Sequence, residues 1–501
     1  MGVPEISISG VVIINFQSLF QMSNQNNTAL GTIMDTSHVT PPAISEDVVQ
    51  EITYRIRSGA NLRGRQGAYI INSTLRTITH NYGSRSESGQ ANITYIGGTP
   101  RAMISSNSRT RALRHLAEEL TDIEELTEER DRSVFRHCFE AMTAAAPQST
   151  IDLRLDLAYI AAFVGISQKR LDTEQKDGRY VSALMRDYVS NKEQIVGIYQ
   201  AVADGTALSA DDQAIYENPW LLFKRNEDTI QPVSYYQRQF LAEIVAAGAV
   251  KKTAKAKELT PLTEMSFKEL KDFVEREYRK KSFAGLGVAL CGDTKCDMPE
   301  TSVTGALSVN HSFSTGELQL TNTLGTANAK TPDWEDHAGA ELMFNREQTS
   351  GVFFEPNLWD MDQLHLNLPH LTEAQFLKAT AESMRAQILA TIDGGQRCSS
   401  TRSFPDVSIN VVTSSVPITF EGAFVQPVPF GTEEGDQVAS ANRLISHIED
   451  FRSMYGREGY IPIILATPTI RKQVEIPTDW VVCESIDAYL QTTLEIAGEI
   501  K

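Results

Sequence analysis

The chain has 501 residues, of which 41% are hydrophobic and 22% charged, with 46 Lys+Arg against 64 Asp+Glu for a formal net charge of −18. Apolar content of this order excludes a disordered or collagen-like chain, and only five cysteines exclude a disulfide scaffold. The acidic balance excludes a uniformly basic phosphate coat.

In chain order, residues 1–50 read as an extended N-terminal arm. A weakly alternating strand, Ile6–Phe16, precedes the polar run Ser23–Thr28 and the Pro41-Pro42 pair. Few charges and little periodicity suit an arm that docks on another surface. No basic leader with an uninterrupted apolar core is present, and the longest apolar runs are strand-sized. Cys138, Cys291, Cys296, Cys398 and Cys483 are odd in number and mostly far apart, as expected of free thiols in a reducing, cytoplasmic compartment.

Residues 51–115 form an arginine-rich, β-prone segment. Between 52 and 115 lie ten arginines, no lysine and the single acid Glu87, for a local charge of +9, with Tyr54, Tyr69, Tyr82 and Tyr95 interleaved. Arginine forks bind phosphates bidentately and tyrosine faces stack on unpaired bases. Arg55, Arg57, Arg63, Arg65, Arg101, Arg109, Arg111 and Arg114 are therefore candidate contacts to nucleic acid or to a neighbouring subunit. The sign inverts over residues 116–132, which carry −6. Leu113, Leu116, Leu120, Ile123 and Leu126 recur at helical spacing there, which predicts an amphipathic helix. Glu118, Glu119, Asp122, Glu125 and Glu129 would form its acidic partner surface, complementary to the arginines of another copy.

Residues 116–281 read as mainly helical. Apolar steps of three and four predict helices over Val134–Ala144, Ile151–Val164, Tyr180–Val189, Lys192–Ala203, Tyr235–Ala247 and Ser266–Arg279, the last opened by a Ser266/Glu269 capping box. Residues 282–501 read as an α+β domain. Short strands are predicted at Ala284–Leu290, Ser302–Asn310, Glu317–Asn322, Val352–Glu355, Val407–Val412, Ile418–Phe420, Ala423–Pro427 and Ile461–Leu465. Helices are expected at Thr372–Ile392, Ala439–Tyr455 and Glu484–Ile496. The aromatic stretch Val352–Trp359 reads as core.

Chemical motifs are sparse. Cys291 and Cys296 are spaced as a metal pair but lack a second one, and the sequence implies no cofactor. Asp336, His337, Asp360 and His365 fall in an acid- and histidine-rich stretch suited to metal-assisted hydrolysis, without a recognised spacing. Leu364, Leu366 and Leu368 alternate as a strand would. Ala284-Gly285-Leu286-Gly287 has two glycines of a dinucleotide-binding fingerprint but not the third. The order of helix 439–455, Gly456 and strand 461–465 resembles part of acyl-CoA-binding acetyltransferase folds, without their pyrophosphate-binding pattern; topology alone implies no activity.

The expected fold is α+β: a β-prone N-terminal arm and segment, a helical middle and a mixed C-terminal domain with short strands. The arm, the segregated charge and the missing catalytic motifs point to a self-assembling structural protein, a viral or phage capsid or shell subunit. It would be a homo-oligomer in the cytoplasm or a virion, with RNA or DNA as a further partner and no membrane insertion. The alternatives are a nucleocapsid-type binder using the arginine segment, and a metal-dependent hydrolase around residues 333–370.

Overall fold

A computed structural model describes residues 67–81, 90–131, 134–163, 181–222, 231–280, 282–293, 302–328, 340–391 and 403–499. All the described residues lie within one compact unit, Ser45–Lys501. The expected α+β class is what forms, with thirteen helices and a mixed sheet among the described residues.

Strand β1 (Tyr69–Asn81) is the keystone of the large sheet. It runs antiparallel between β11 (Ala340–Asp360) and β12 (Val407–Thr413). The hairpin of β2 (Ile93–Ile96) and β3 (Thr99–Ile104) joins through β9 (Ser312–Ser314), and β8 (Leu307–Val309) pairs with the last residues of β11. On the other flank, β13 (Tyr460–Ala466) pairs antiparallel with β12, and β14 (Val481–Cys483) parallel with β13. The arginine segment is thus built into the same sheet as the C-terminal half. Two small antiparallel pairs, β4 (Glu128–Asp131) with β5 (Gln231–Ser234) and β6 (Ala249–Val250) with β7 (Thr260–Pro261), lie outside it.

The period of two along β1 divides its residues between two cores. Ile71 and Leu75 join Phe354, Val407, Ile409, Phe420, Phe424 and Ile464 on the face covered by the helix at Asp436–Tyr455. Ile70 joins Trp359, Val412 and Ile463 on the opposite face. That face is covered by five helices: α1 (Ser106–Thr121), α8 (Leu286–Cys291), α9 (Met361–Asn367), α10 (Glu373–Leu389) and α13 (Ile486–Glu499). A third core belongs to the helices expected in the middle of the chain: α2 (Val134–Ala145), α3 (Ile151–Phe163), α4 (Val181–Ala203), α6 (Tyr235–Ala247) and α7 (Phe267–Tyr278). Between α4 and α6 lies the short α5 (Ala210–Glu217). The remaining helices are α11, already given as Asp436–Tyr455, and α12 (Pro468–Arg471).

Several local expectations change. The two helices expected over 180–189 and 192–203 are one, Val181–Ala203, because no breaker separates the two apolar patterns. The strand expected at 284–290, a continuous apolar run that suits a buried strand or helix equally, is replaced by α8 over Leu286–Cys291. Residues 364–367 lie in α9, which Leu368 follows as C-cap and whose start Asp360 caps by accepting from the Gln363 amide at 2.9 Å. In place of strands at 418–420 and 423–427 there is a 3-10 turn, Glu421–Phe424. The expected short strands at 317–322 and 352–355 are parts of much longer ones. β10 (Gln319–Asn328) pairs with Ala340–Ser350 of β11 as a two-stranded ribbon, and the same β11 continues past Gly351 into the sheet. Gly351 has a φ of +143°, a conformation in which a side chain is strained. Val352–Trp359 is core, as expected: Phe353, Phe354 and Trp359 are buried.

Candidate functional site

The face of β1 and β12 under α10 and α13 is polar where a core would be apolar. Asn72 donates to Asn410 Oδ1 at 2.8 Å and to Ser408 Oγ at 3.1 Å, and accepts from Asn357 Nδ2 at 3.1 Å. Gln387 of α10 reaches the same Asn72 carbonyl and accepts from the Trp359 indole. Asn410 donates to Thr493 of α13 at 3.1 Å. Buried amides of this kind cost little when every group finds a partner, and they fix register because a slip would orphan them.

The network extends into charge. Arg76 Nε donates to Glu355 Oε1 at 3.1 Å, and Arg76 also donates to the Ile388 carbonyl at 2.8 Å. Arg109 of α1 lies 3.8 Å from Glu355 Oε2 and donates to Asn357 Oδ1 at 3.0 Å and to the Asn310 carbonyl. Arg76, Arg109 and Glu355 are all at most 8% exposed. Burial pulls the Arg109 guanidinium below its ordinary value, Glu355 pushes it back up, and Arg76 lowers it further.

The helix fixed by Arg109 opens onto the surface. Ser105 caps α1 by accepting from the Ser108 amide at 3.3 Å, and the Ser106 amide donates to His311 Nδ1 at 3.0 Å. Arg109, Leu113, Ala117 and Thr121 form its buried stripe. The opposite stripe is Asn107, Arg111, His115 and Glu119, all exposed. Among the described residues no ion pair or hydrogen bond holds the Arg111 guanidinium. Arginines in the first turns run against the helix dipole, which favours anions at that end. Glu355 supplies such an anion inside for Arg109; outside, Arg111 and the serine hydroxyls offer donors to an anion from solution.

The candidate arginines therefore divide. Arg55, Arg57, Arg63 and Arg65 lie outside the described residues. Arg101 is interior rather than a contact: it is 0% exposed and donates to the carbonyls of Ser314 (3.1 Å), Thr315 (2.5 Å), Gly316 (3.2 Å) and Phe424 (3.0 Å). Arg109 is likewise committed inside. Arg114 is half-buried, and its aliphatic arm crosses Gly287 so closely that a Cβ there would lie 2.4 Å from Cδ. Of the four candidates among the described residues, only Arg111 is exposed.

The acidic surface does not form one helical face, because α1 ends at Thr121 with Asp122 in the left-handed region at φ +45°. Glu118 and Glu119 lie at its end, Glu125 in a 3-10 turn and Glu129 on β4. Glu119, Asp122 and Glu129 are exposed, Glu118 and Glu125 half-buried. Glu128, which the sequence did not mark, is buried, and its Oε2 accepts from the Val288 amide at 3.1 Å. A Cβ on Gly285 would lie 2.8 Å from this carboxylate, and one on Gly287 2.7 Å. The two glycines of the partial fingerprint thus make room for a side chain of the same chain.

Asp336 and His337 lie outside the described residues. Asp360 is a helix cap, and His365 packs edge-on to Phe376 at 5.4 Å between ring centroids. Among the described residues no group of three or more His, Cys, Asp or Glu could hold a metal ion, and no helix is long and apolar enough to cross a membrane.

This fold, a mixed sheet covered by helices on both faces, is similar to that of chains in solved structures described as a CRISPR RNA-guided surveillance complex. One, in a structure described as pre-nicking, matches with a TM-score of 0.57 at 17% identity, over 86% of this chain and 100% of that one. Another matches with a TM-score of 0.52 at 15% identity, over 85% and 99%. No curated protein matches. The sequence profile of the CT1975-like protein family, a Cas family, matches residues 73–480, and the chain belongs to that family. This overturns the expected viral or phage shell subunit. The correction rests on the family match together with the fold likeness, neither of which belongs to a viral coat protein.

Proposed function

We propose that this chain is a protein subunit of a CRISPR RNA-guided surveillance complex and that the N-terminal end of α1 grips the backbone of the RNA. The observation that carries the reading is end-to-end likeness: 86% of this chain accounts for the whole of a chain from such a complex. The site adds a chemical reason, since the exposed Arg111 and the half-buried Ser105, Ser106 and Ser108 lie at the positive end of a sixteen-residue helix. Self-association remains part of the proposal. A two-stranded ribbon is marginal alone in water, which favours a neighbour, either another copy or RNA, lying against β10 and the first half of β11. We also retain the reducing, cytoplasmic compartment as a proposal, from the free, buried thiols of Cys138 and Cys483.

The test is binding of a labelled single-stranded RNA to the full chain across a salt series. Each phosphate contact contributes about 0.7 to the slope of log K against log salt. Arg111→Ala is expected to weaken binding and lower that slope by about this amount. Absence of RNA binding, or an unchanged slope and affinity, would refute the assignment.

A further inference from the structure

We propose that Arg109 is a positioning residue: held inside the sheet by Glu355 and Asn357, it sets the place and rotation of α1 and so presents Ser105–Ser108 and Arg111 to nucleic acid. The proposal rests on the RNA reading of α1 given above.

The geometry is specific. Arg109 lies half a turn along α1 from Arg111, on the opposite side of the helix. Its fork spans two elements: on β11 the Glu355 carboxylate, the Pro356 carbonyl at 3.4 Å and the Asn357 amide, and between β8 and β9 the Asn310 carbonyl. Asn310 is itself tied to Glu421 at 3.0 Å, and its neighbour His311 accepts the first-turn amide of Ser106. The buried fork and the exposed cap thus meet at the same dipeptide, Asn310-His311. Arg76 completes the frame by holding the other oxygen of Glu355 and joining it to the end of α10 through the Ile388 carbonyl.

A lysine carries the same charge but presents a point donor where the fork is planar, so it cannot span β11 and the 310 loop together. That difference separates placement from simple field. The experiment measures RNA affinity and its salt slope for the full chain as Arg109→Lys, Arg109→Met, Arg111→Ala and each double variant with Arg111→Ala, with circular dichroism to verify folding. Arg109→Lys preserves the charge and is the variant that keeps the test open if Arg109→Met does not fold. The expected result is a roughly tenfold loss of affinity for Arg109→Lys with folding retained, and a much smaller further loss in the Arg111→Ala background, because both act through one surface. Wild-type affinity for Arg109→Lys, or an equal loss in both backgrounds, would overturn the proposal. If Arg111→Ala alone has no effect, the RNA reading of α1 fails first and positioning fails with it; if Arg111→Ala weakens binding but Arg109→Lys does not, only positioning fails.

Discussion

Arg101 offers a sharp test of the division between interior and surface arginines. Its guanidinium is fully buried and donates to carbonyls of two segments, Ser314–Gly316 after β9 and Phe424 in the 3-10 turn. Burial lowers its pKa from the ordinary value, with Glu317 opposing the shift and Arg443 adding to it. Arg101→Met keeps the bulk and removes all of these bonds. Thr315 keeps a second donor, the Val428 amide at 2.9 Å, and Gly316 keeps the Ser314 hydroxyl at 2.9 Å, so their loss is moderate. Hydrogen bonds from a charged group are worth about 1.5–3 kcal/mol each, and the released desolvation of the cation returns part of that. A net destabilisation of about 3 kcal/mol follows from two such bonds lost without replacement. Urea unfolding of the full chain, followed by circular dichroism at 25 °C, reads this as a lower midpoint at unchanged slope. Arg111→Ala, at the surface, is expected to shift stability by no more than about 0.5 kcal/mol. Equal small effects from both variants would refute the interior assignment of Arg101.

Two further outcomes follow from close contacts. Gly287→Ala places a methyl 2.4 Å from Arg114 Cδ and 2.7 Å from Glu128 Oε1, and is expected to cost about 1–3 kcal/mol, read as a lower melting temperature. An unchanged melting temperature would show that Arg114 and Glu128 give way freely. Asp362 sits against Gly67, and burial, with Asp360 nearby, raises its pKa from 3.8 to about 6. The unfolded carboxyl therefore ionises first as pH rises, and the native state loses stability between about pH 4 and pH 6. Asp362→Asn is expected to raise the melting temperature at pH 7.5 and leave it unchanged at pH 3.5; equal shifts at both values would count against an ionisation effect.

The helical region was the most legible part of the sequence, because its apolar periodicity needs no partner from afar and its caps are local; the Ser266/Glu269 box forms as read. The sheet was harder. β1 finds its partners about 280 and 340 residues away, and no local signal announces a pairing of that range. The charge count misled for a related reason. Arg76, Arg101 and Arg109 add to a net of +9 in sequence, yet each is turned inward toward oxygens supplied by Glu355, Asn310 and the 314–316 loop. A polar residue at every second position, Asn72, Thr74 and Arg76 facing Glu355 and Asn357, was the available sign that one face of this strand is a hydrogen-bonded layer. Arg111 could be placed among the candidates, but its neighbours in sequence differ in role because a helix turns by 100° per residue.

The unbroken course of β11 has a mechanical consequence. One covalent strand of 21 residues forms half of the ribbon, passes through Gly351 at φ +143°, and only four residues later carries the carboxylate that braces α1. A load applied to the ribbon is delivered along the backbone to Glu355 and Asn357 without crossing a loop, as force travels along a beam clamped at one end. Whatever the ribbon touches is therefore wired, through a single chain segment, to the helix end that bears Arg111.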